Sequence, residues 1–476
     1  MAKDQAKEGE KRSPGNHWRE NIEAITMAIV MAVMLKYFIV EAYKIPTGSM
    51  QPTLMGNDET DIKDRILVDK LSYHFREPER FEVTVFKYPL DLSKNFVKRM
   101  VGVGPEELKI MNGDLWNRPD GDSPWKVLRR PRPVQTEIWK ALYPGEAGLE
   151  GWKATESART WSVEGGEISA RGSGSLRYPK SKSIDDNHRD GYPLSIRSLI
   201  GRNRHSGQHP VGDLRVSGEI EMLPGCERIV IDMREGNRQY HFILPGPAAA
   251  ADATLRIEAE DTVRAMNTAM PTPLSIALDS NWRAEAGDSF EFGVQNMDDL
   301  LSLEIDGEIL LELEIPTESN QSSAILLHVE GEGADLSDVM VYRDIYYRDD
   351  ISRRPAEWII PEDHYVMLGD NTQDSADSRE WQLNCIQYPA EDGPIYRGNH
   401  RGQGENPRDV TGGPGGTEQW FRDEYGELHH WKKAQAKHVG FIPVSFVPRE
   451  LITGRAVVVF WPIKPSFKLW RLAWIH

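Results

Sequence analysis

Residues 24–40 constrain this chain more than any other stretch. Ala24 to Leu35 is an apolar run, Lys36 follows, and Tyr37-Phe38-Ile39-Val40 resumes it. As one helix it just reaches the ~17 to 25 residues that span a bilayer. Lys36 lies near one end, where its ammonium can snorkel to the headgroups. Lys3, Lys7, Lys11, Arg12 and Arg19 precede the run, whereas the nearest basic residues after it are Lys44 and Lys63. The positive-inside rule then places the N-terminus in the cytoplasm and the bulk of the chain outside. A cleavable signal peptide competes, with Val40-Glu41-Ala42 as a passable cleavage site. The expectation is an anchor at 21–41 behind a polar tail at 1–20.

Composition narrows the rest. A length of 476 residues suggests two to four domains. Hydrophobic residues at 39% allow a packed core and argue against many spans. Acidic residues number 74 against 57 basic, a net charge of −17, so no global basic field exists to hold a phosphate backbone. Nucleic acid is excluded as a main partner. Cys226 and Cys385, the two cysteines, exclude a disulfide-rich scaffold and a four-cysteine zinc site, and leave a single bridge open.

Beyond the apolar run, Phe81-Glu82-Val83-Thr84-Val85-Phe86-Lys87-Tyr88 alternates like a half-buried strand, and Val97 to Val103 and Glu107 to Ile110 continue in that manner. From 136 to 348 many short β-type runs are separated by turns such as Asp306-Gly307, which argues for an inserted all-β sandwich. More than 200 residues is too long for a structureless loop. Residues 385–437, polar and Gly-rich, read as a surface insertion. The basic, aromatic C-terminal tail is suited to lying on a membrane.

Three segments bear chemistry. Ile45-Pro46-Thr47-Gly48-Ser49-Met50-Gln51-Pro52-Thr53-Leu54 offers a hydroxyl on a tight, rigid backbone, although an ordinary turn has the same composition. Phe96-Val97-Lys98-Arg99-Met100-Val101 sets a lysine in an apolar strand; if it faces inward, burial lowers its pKa toward that of a base. Gly369-Asp370-Asn371-Thr372-Gln373-Asp374-Ser375-Ala376-Asp377-Ser378-Arg379 lacks the pattern of an EF-hand calcium loop, so no metal is expected.

In this order the segments resemble bacterial type I signal peptidase, a membrane-bound serine protease, over less than half the chain: the anchor, roughly 42–115, and 359–465. The resemblance implies a mainly β fold, with a signal-peptidase-like catalytic core split into 42–135 and 349–476. It implies Ser49 as nucleophile and Lys98 as general base. The backbone N–H of Ser49 and the hydroxyl of Thr47 would form the oxyanion hole, Ser375 would orient Lys98, and Asp377 and Arg379 would form a supporting ion pair. No cofactor is implied. The partners would be signal-peptide-bearing preproteins and the lipid bilayer, at the cytoplasmic membrane with the catalytic part on the outer side.

Thr372 departs from the pattern, standing where the family usually has arginine, and the Gly-rich insertion displaces the segment after Trp381. The inserted 136–348 is similar to concanavalin-like jelly rolls. That likeness leaves a spacer role, protein docking and glycan binding open, and Gly172-Ser173-Gly174-Ser175 is not a nucleophile elbow. The alternatives are a tethered adhesion or glycan-binding protein on a degenerate peptidase scaffold, and a self-cleaving Ser/Lys protease.

Overall fold

The computed structural model describes residues 14–57, 62–144, 151–155, 160–164, 166–179, 183–197, 199–201, 207–261, 274–279, 282–317, 322–349, 356–398, 409–410, 418–464 and 469–476. Strands dominate it. One eight-stranded antiparallel sheet runs in the order Val40–Lys44, Arg65–Asp69, Ile452–Trp461, Val83–Tyr88, Asp91–Val103, His364–Leu368 and Phe446–Pro448, with Ala473–Trp474 beside Ile452–Trp461. Segments from before and after the insertion therefore share a single sheet. Strand Val83–Tyr88 is more buried than its alternation suggested, because both of its faces are covered. Val83 and Val85 enter one cluster with Met50 and Leu54, while Phe86 and Tyr88 enter another with Met100, Met367 and Trp381. A four-stranded sheet, Glu357–Ile360, Glu106–Met111, Asp114–Arg118 and Lys126–Val127, continues this part of the molecule.

The insertion forms two sheets of its own. Eight strands, Trp161–Glu164, Glu167–Arg171, Gly333–Arg343, Leu214–Met222, Ser289–Met297, Leu300–Ile305 and Glu308–Glu314 with Lys140–Tyr143 attached, make one layer. Seven strands, from Lys153–Ala154 through Gly174–Tyr178, Ser323–Gly331, Cys226–Glu235, Arg238–Pro245 and Arg256–Asp261 to Leu274–Ala277, make the other. Alternate side chains of both layers, among them Val216, Ile220, Val294, Ile231, Phe242 and Leu327, merge into one apolar core. The ends of the insertion meet, since Lys140 and Arg343 are register partners on adjacent strands.

Three expectations change. No helix among the described residues is long and apolar enough to cross a membrane. The α-helix spans Pro14–Met34, starting inside the supposed polar tail; Leu35–Ile39 is a π turn, and Val40–Lys44 is already a strand of the sheet. Polar Asn16, Arg19, Glu20, Asn21 and Glu23 thus occupy its first half, and only the later turns are apolar. Second, the surface insertion at 385–437 contains strands of its own. Gln382–Gln387, Ile395–Gly398 and Lys437–Pro443 form one small sheet, Asp409–Val410, Glu418–Arg422 and Leu428–Lys432 another, and Ile386, Phe421 and Trp431 pack together. Its glycine tracts at 399–408 and 411–417 lie outside the described residues, as do Lys3, Lys7, Lys11 and Arg12. Third, Cys226 and Cys385 are both free and buried, one in the sandwich core and one in the small sheet, so the open bridge is absent.

Candidate active site

Period-two alternation decides what strand Asp91–Val103 delivers. Successive residues leave opposite faces, so Lys98 and Arg99 point away from each other. Lys98, 3% exposed, sits opposite Thr84 on the face that carries Phe86, Phe96 and Met100. Its Nζ lies 2.8 Å from Ser49 Oγ and 2.9 Å from Ser375 Oγ. The three residues come from segments 49 and 277 positions apart in the chain. Burial pushes the Lys98 amine down to about 8; the Asp377 carboxylate opposes this and the Arg379 guanidinium assists it.

Ser49 is half-buried at the start of a turn whose backbone is tied to the 370 segment. Asn371 donates its N–H to the Ser49 carbonyl (3.1 Å) and its side-chain amide to the Gly48 carbonyl (3.1 Å). Gly369 cannot carry a side chain here: a Cβ would stand 2.1 Å from Ser375 Oγ and 2.4 Å from the Ser49 carbonyl oxygen. Ser375 donates to Asp377 Oδ2 at 2.8 Å, and Asp377 also accepts from the Gly369 N–H (3.0 Å), Arg379 Nε (2.8 Å) and Arg379 Nη2 (2.6 Å). Burial alone would raise Asp377, but Arg379, Lys98 and the Gly369 N–H together outweigh it and hold the carboxyl below its ordinary value. Ser49, Lys98, Ser375, Asp377 and Arg379 thus form one hydrogen-bonded chain. Thr47 is exposed two residues before Ser49. Thr372, in place of the expected arginine, donates its hydroxyl to the Tyr346 carbonyl at 2.7 Å.

Sequence reasoning assigned no role to three other features. Arg99, fully buried, pairs through Nε (3.0 Å) and Nη2 (2.9 Å) with the equally buried Asp370, and also bonds the Phe81 carbonyl (2.7 Å) and Thr53 Oγ1 (3.0 Å). Its presence beside Lys98, and that of Asp370 beside Gly369, was the available signal. Lys140, 3% exposed, is pushed down to about 7 by burial and by Arg343. The insertion also reaches the serine segment. Tyr192, Ile196 and Ile200 pack on Met55 and Ile62, the Tyr192 hydroxyl would lie 2.6 Å from a Cβ at Gly48, and Gln373 bonds the Asp186 carboxylate at 2.7 Å.

The seven-stranded sheet of the insertion bears a cavity of about 300 Å³. In it Asp232 lies between His241 (2.7 Å) and His328 (2.9 Å), and His328 meets Ser175 Oγ at 2.7 Å.

Comparison with known proteins points to segments that overlap those read from the sequence. A family model described as signal peptidase, peptidase S26, matches residues 18–120 and 312–406. The protein named "Probable signal peptidase I-2" of Synechocystis sp. is 36% identical over 109 residues, 22% of this chain and 47% of its own length. Signal peptidase I of Aquifex aeolicus is 31% identical over 128 residues, 27% of this chain and 45% of its own length. The chain spans about half the length of the curated relatives it matches. Among solved structures, porphyranase B from Zobellia galactanivorans (TM-score 0.30, 9% identity) is matched over 43% of this chain and 92% of its own. The Emp47p carbohydrate recognition domain (TM-score 0.27, 9% identity) is matched over 43% and 97%. The chain is a relative of the type I signal peptidases, with most of a β-sandwich lying between the two matched parts and its last strands inside the second.

Proposed function

We propose that this relative of the type I signal peptidases is a membrane-associated serine endopeptidase that removes N-terminal signal peptides from exported preproteins. The observation that supports it best is the 2.8 Å approach of a buried, low-pKa lysine to Ser49 Oγ. With its amine at about 8, roughly a tenth of the Lys98 side chains are neutral at pH 7, enough to serve as a base. Neutral Lys98 takes the Ser49 proton as Oγ attacks the scissile carbonyl. The resulting oxyanion is met by the Ser49 N–H and the exposed Thr47 hydroxyl. Lysine returns the proton to the departing amine, and a water deprotonated by Lys98 then hydrolyses the acyl-enzyme. Ser375 fixes where the Nζ lone pair points; Asp377 and Arg379 hold Ser375. The scheme calls for no metal and no cofactor.

Membrane association rests on exposed apolar surface. Ile25, Met27, Ile29, Val30, Met31, Val33 and Met34 are each more than half exposed, and the C-terminal Leu472 and Trp474 are 77% and 73% exposed. Such surface is stable against acyl chains and unfavourable in water. We place the catalytic part at the outer face of the cytoplasmic membrane, held there by this surface. For the sandwich, the cavity around Asp232 is a candidate docking place for a glycan or protein ligand.

Cleavage of a preprotein in detergent by the wild type, Ser49→Ala and Lys98→Ala tests the proposal. Cutting by the wild type alone supports it. Undiminished cutting by either variant refutes the dyad, and a folded wild type that cuts nothing favours the degenerate-scaffold alternative.

A further inference from the structure

Ser49 and Ser375 stand 2.8 and 2.9 Å from the Lys98 amine, yet they belong to segments far apart in the chain. One stretch of the insertion, from Asp186 to Arg197 with Ile200, touches both segments. Toward Ser49 the contacts are of packing. Gly191 has left-handed backbone (φ 81°), and a Cβ there would stand 3.1 Å from Pro52 Cβ and 3.5 Å from the Gln51 amide nitrogen. The stretch therefore lies directly against the residues that follow Ser49. Tyr192 comes next, with its hydroxyl 2.6 Å from where a Gly48 Cβ would be. Ile196 and Ile200 join its ring in covering Met55 and Ile62. Gly48 is thus held from two sides, by Tyr192 and by Asn371, whose side chain bonds the Gly48 carbonyl at 3.1 Å.

Toward Ser375 the contacts are polar. Gln373 donates its side-chain amide to the Asp186 carboxylate at 2.7 Å and also to the Asp186 carbonyl. That carboxylate is buried and fixed by the main-chain N–H groups of Gln208 and His209, both at 2.8 Å. The His209 ring stacks on Tyr346 (4.9 Å between centroids, 11° between planes), and the Tyr346 carbonyl accepts from Thr372. Thr372, which departs from the family pattern, and its neighbour Gln373 are therefore both bonded to the insertion side. The stretch is itself anchored to the sandwich. Arg343, on the last strand, donates to the Asp190 carboxylate and the Asn187 carbonyl, both at 2.7 Å, and Arg197 donates to the Ala141 carbonyl at 3.0 Å.

We propose that this stretch is a positioning clamp that sets Ser49 and Ser375 at their distances from Lys98, so that the sandwich is a working part of the catalytic apparatus. The proposal rests on the peptidase reading for its effect on rate. Tyr192, Asp186 and Gln373 touch no reacting atom; they act through Gly48 and Ser375. Two contacts of different character, apolar on one catalytic segment and hydrogen-bonded on the other, converge on one anchored element, which is the support a preorganised site requires. A misplacement of about 1 Å at such a site costs on the order of a hundredfold in rate.

The test uses the full-length protein in detergent, with preprotein cleavage and hydrogen exchange measured on the same samples. Gln373→Glu sets a second carboxylate against Asp186, and Tyr192→Ala empties the contact on Gly48. Each should lower kcat by on the order of tenfold or more with KM changed by less than about twofold. Exchange of the amides of 48–56 and 371–376 should quicken, while that of strand Asp91–Val103 stays as in the wild type. The paired variant Asp186→Asn with Gln373→Glu restores a donor facing an acceptor, and should recover most of the lost kcat. A charge effect of the new carboxylate on Lys98 would not be recovered in this way. Single variants that cut and exchange like the wild type overturn the clamp, as does a folded Gln373→Glu whose loss the paired variant leaves unchanged. A wild type that cuts nothing refutes the peptidase reading, and the exchange rates then decide the clamp by themselves: unchanged exchange in both single variants overturns it.

Discussion

Changing Asp377 to Asn tests the proposed base in the most direct way. In the native site the Asp377 carboxylate pulls the Lys98 pKa up, Arg379 pulls it down, and burial dominates both, giving about 8. The drop from 10.5 is worth about 3 kcal/mol of bias against the ammonium. Because the base must be neutral, kcat/KM should rise with pH through about 8 and level off above it. Asp377→Asn removes the charge that supports the ammonium and leaves Arg379 uncompensated. The acidic limb should therefore move downward, by on the order of one unit for a buried neighbour. The plateau should also fall, since Ser375 loses its charged acceptor at 2.8 Å. Stranding Arg379 should cost about 3–5 kcal/mol of stability, so thermal midpoints must accompany the kinetics. The assay is kcat/KM on a preprotein fragment in detergent between pH 6 and 10. A wild-type limb near 10, or a limb that moves upward in a folded Asp377→Asn, would refute the reasoning.

Lys98→Met should abolish cleavage yet stabilise the protein at pH 7 by up to about 3 kcal/mol. A lysine whose pKa is depressed in the folded state weakens the fold below about 8, and this penalty fades as pH rises toward 10.5; denaturant unfolding at pH 7 and 10 checks the sign. Gly369→Ala should lower turnover at least tenfold and also lower the thermal midpoint clearly, because its methyl would displace Ser375 Oγ and the backbone carbonyl of Ser49, both under 2.5 Å away. Asp370→Asn should cost about 3–5 kcal/mol by stranding the fully buried Arg99, measured as a fall in thermal midpoint.

How far the chain could be read depended on the range of the interactions. Ser49, Lys98 and Ser375 were found by resemblance, because the composition of the Ser49 segment equally describes a plain turn. Strand alternation sends Lys98 and Arg99 to opposite faces, but does not say that both faces are buried, which depends on strands arriving from the far end of the chain. The same gap hid the Arg99–Asp370 pair, the low pKa of Lys140 and the contact of Tyr192 with Gly48. For the apolar run, hydropathy located the lipophilic residues but not the helix boundaries: the helix starts back at Pro14, among polar residues, and pairing with Arg65–Asp69 claims Val40–Lys44 for the sheet. In the Gly-rich insertion, Phe421 and Trp431 were diluted by their neighbours, although together they make a small core.

The rung that pairs Lys140 with Arg343 bears on the order in which the protein folds. Lys98 and Ser375 are separated by 277 residues, and closing so long a loop costs more entropy than closing a short one. Once the sandwich has folded, its two ends coincide. The chain still to be closed is then roughly 75 residues, running from 98 to 140 and from 343 to 375. That lowers the closure cost by about 1 kcal/mol. Ser49, the proposed nucleophile, is synthesised first, whereas Ser375, proposed to orient its base, follows the whole of the sandwich in the chain. On the proposed reading, the dyad can be completed only once the last part of the chain is in place, and the paired ends of the sandwich make that closure more local.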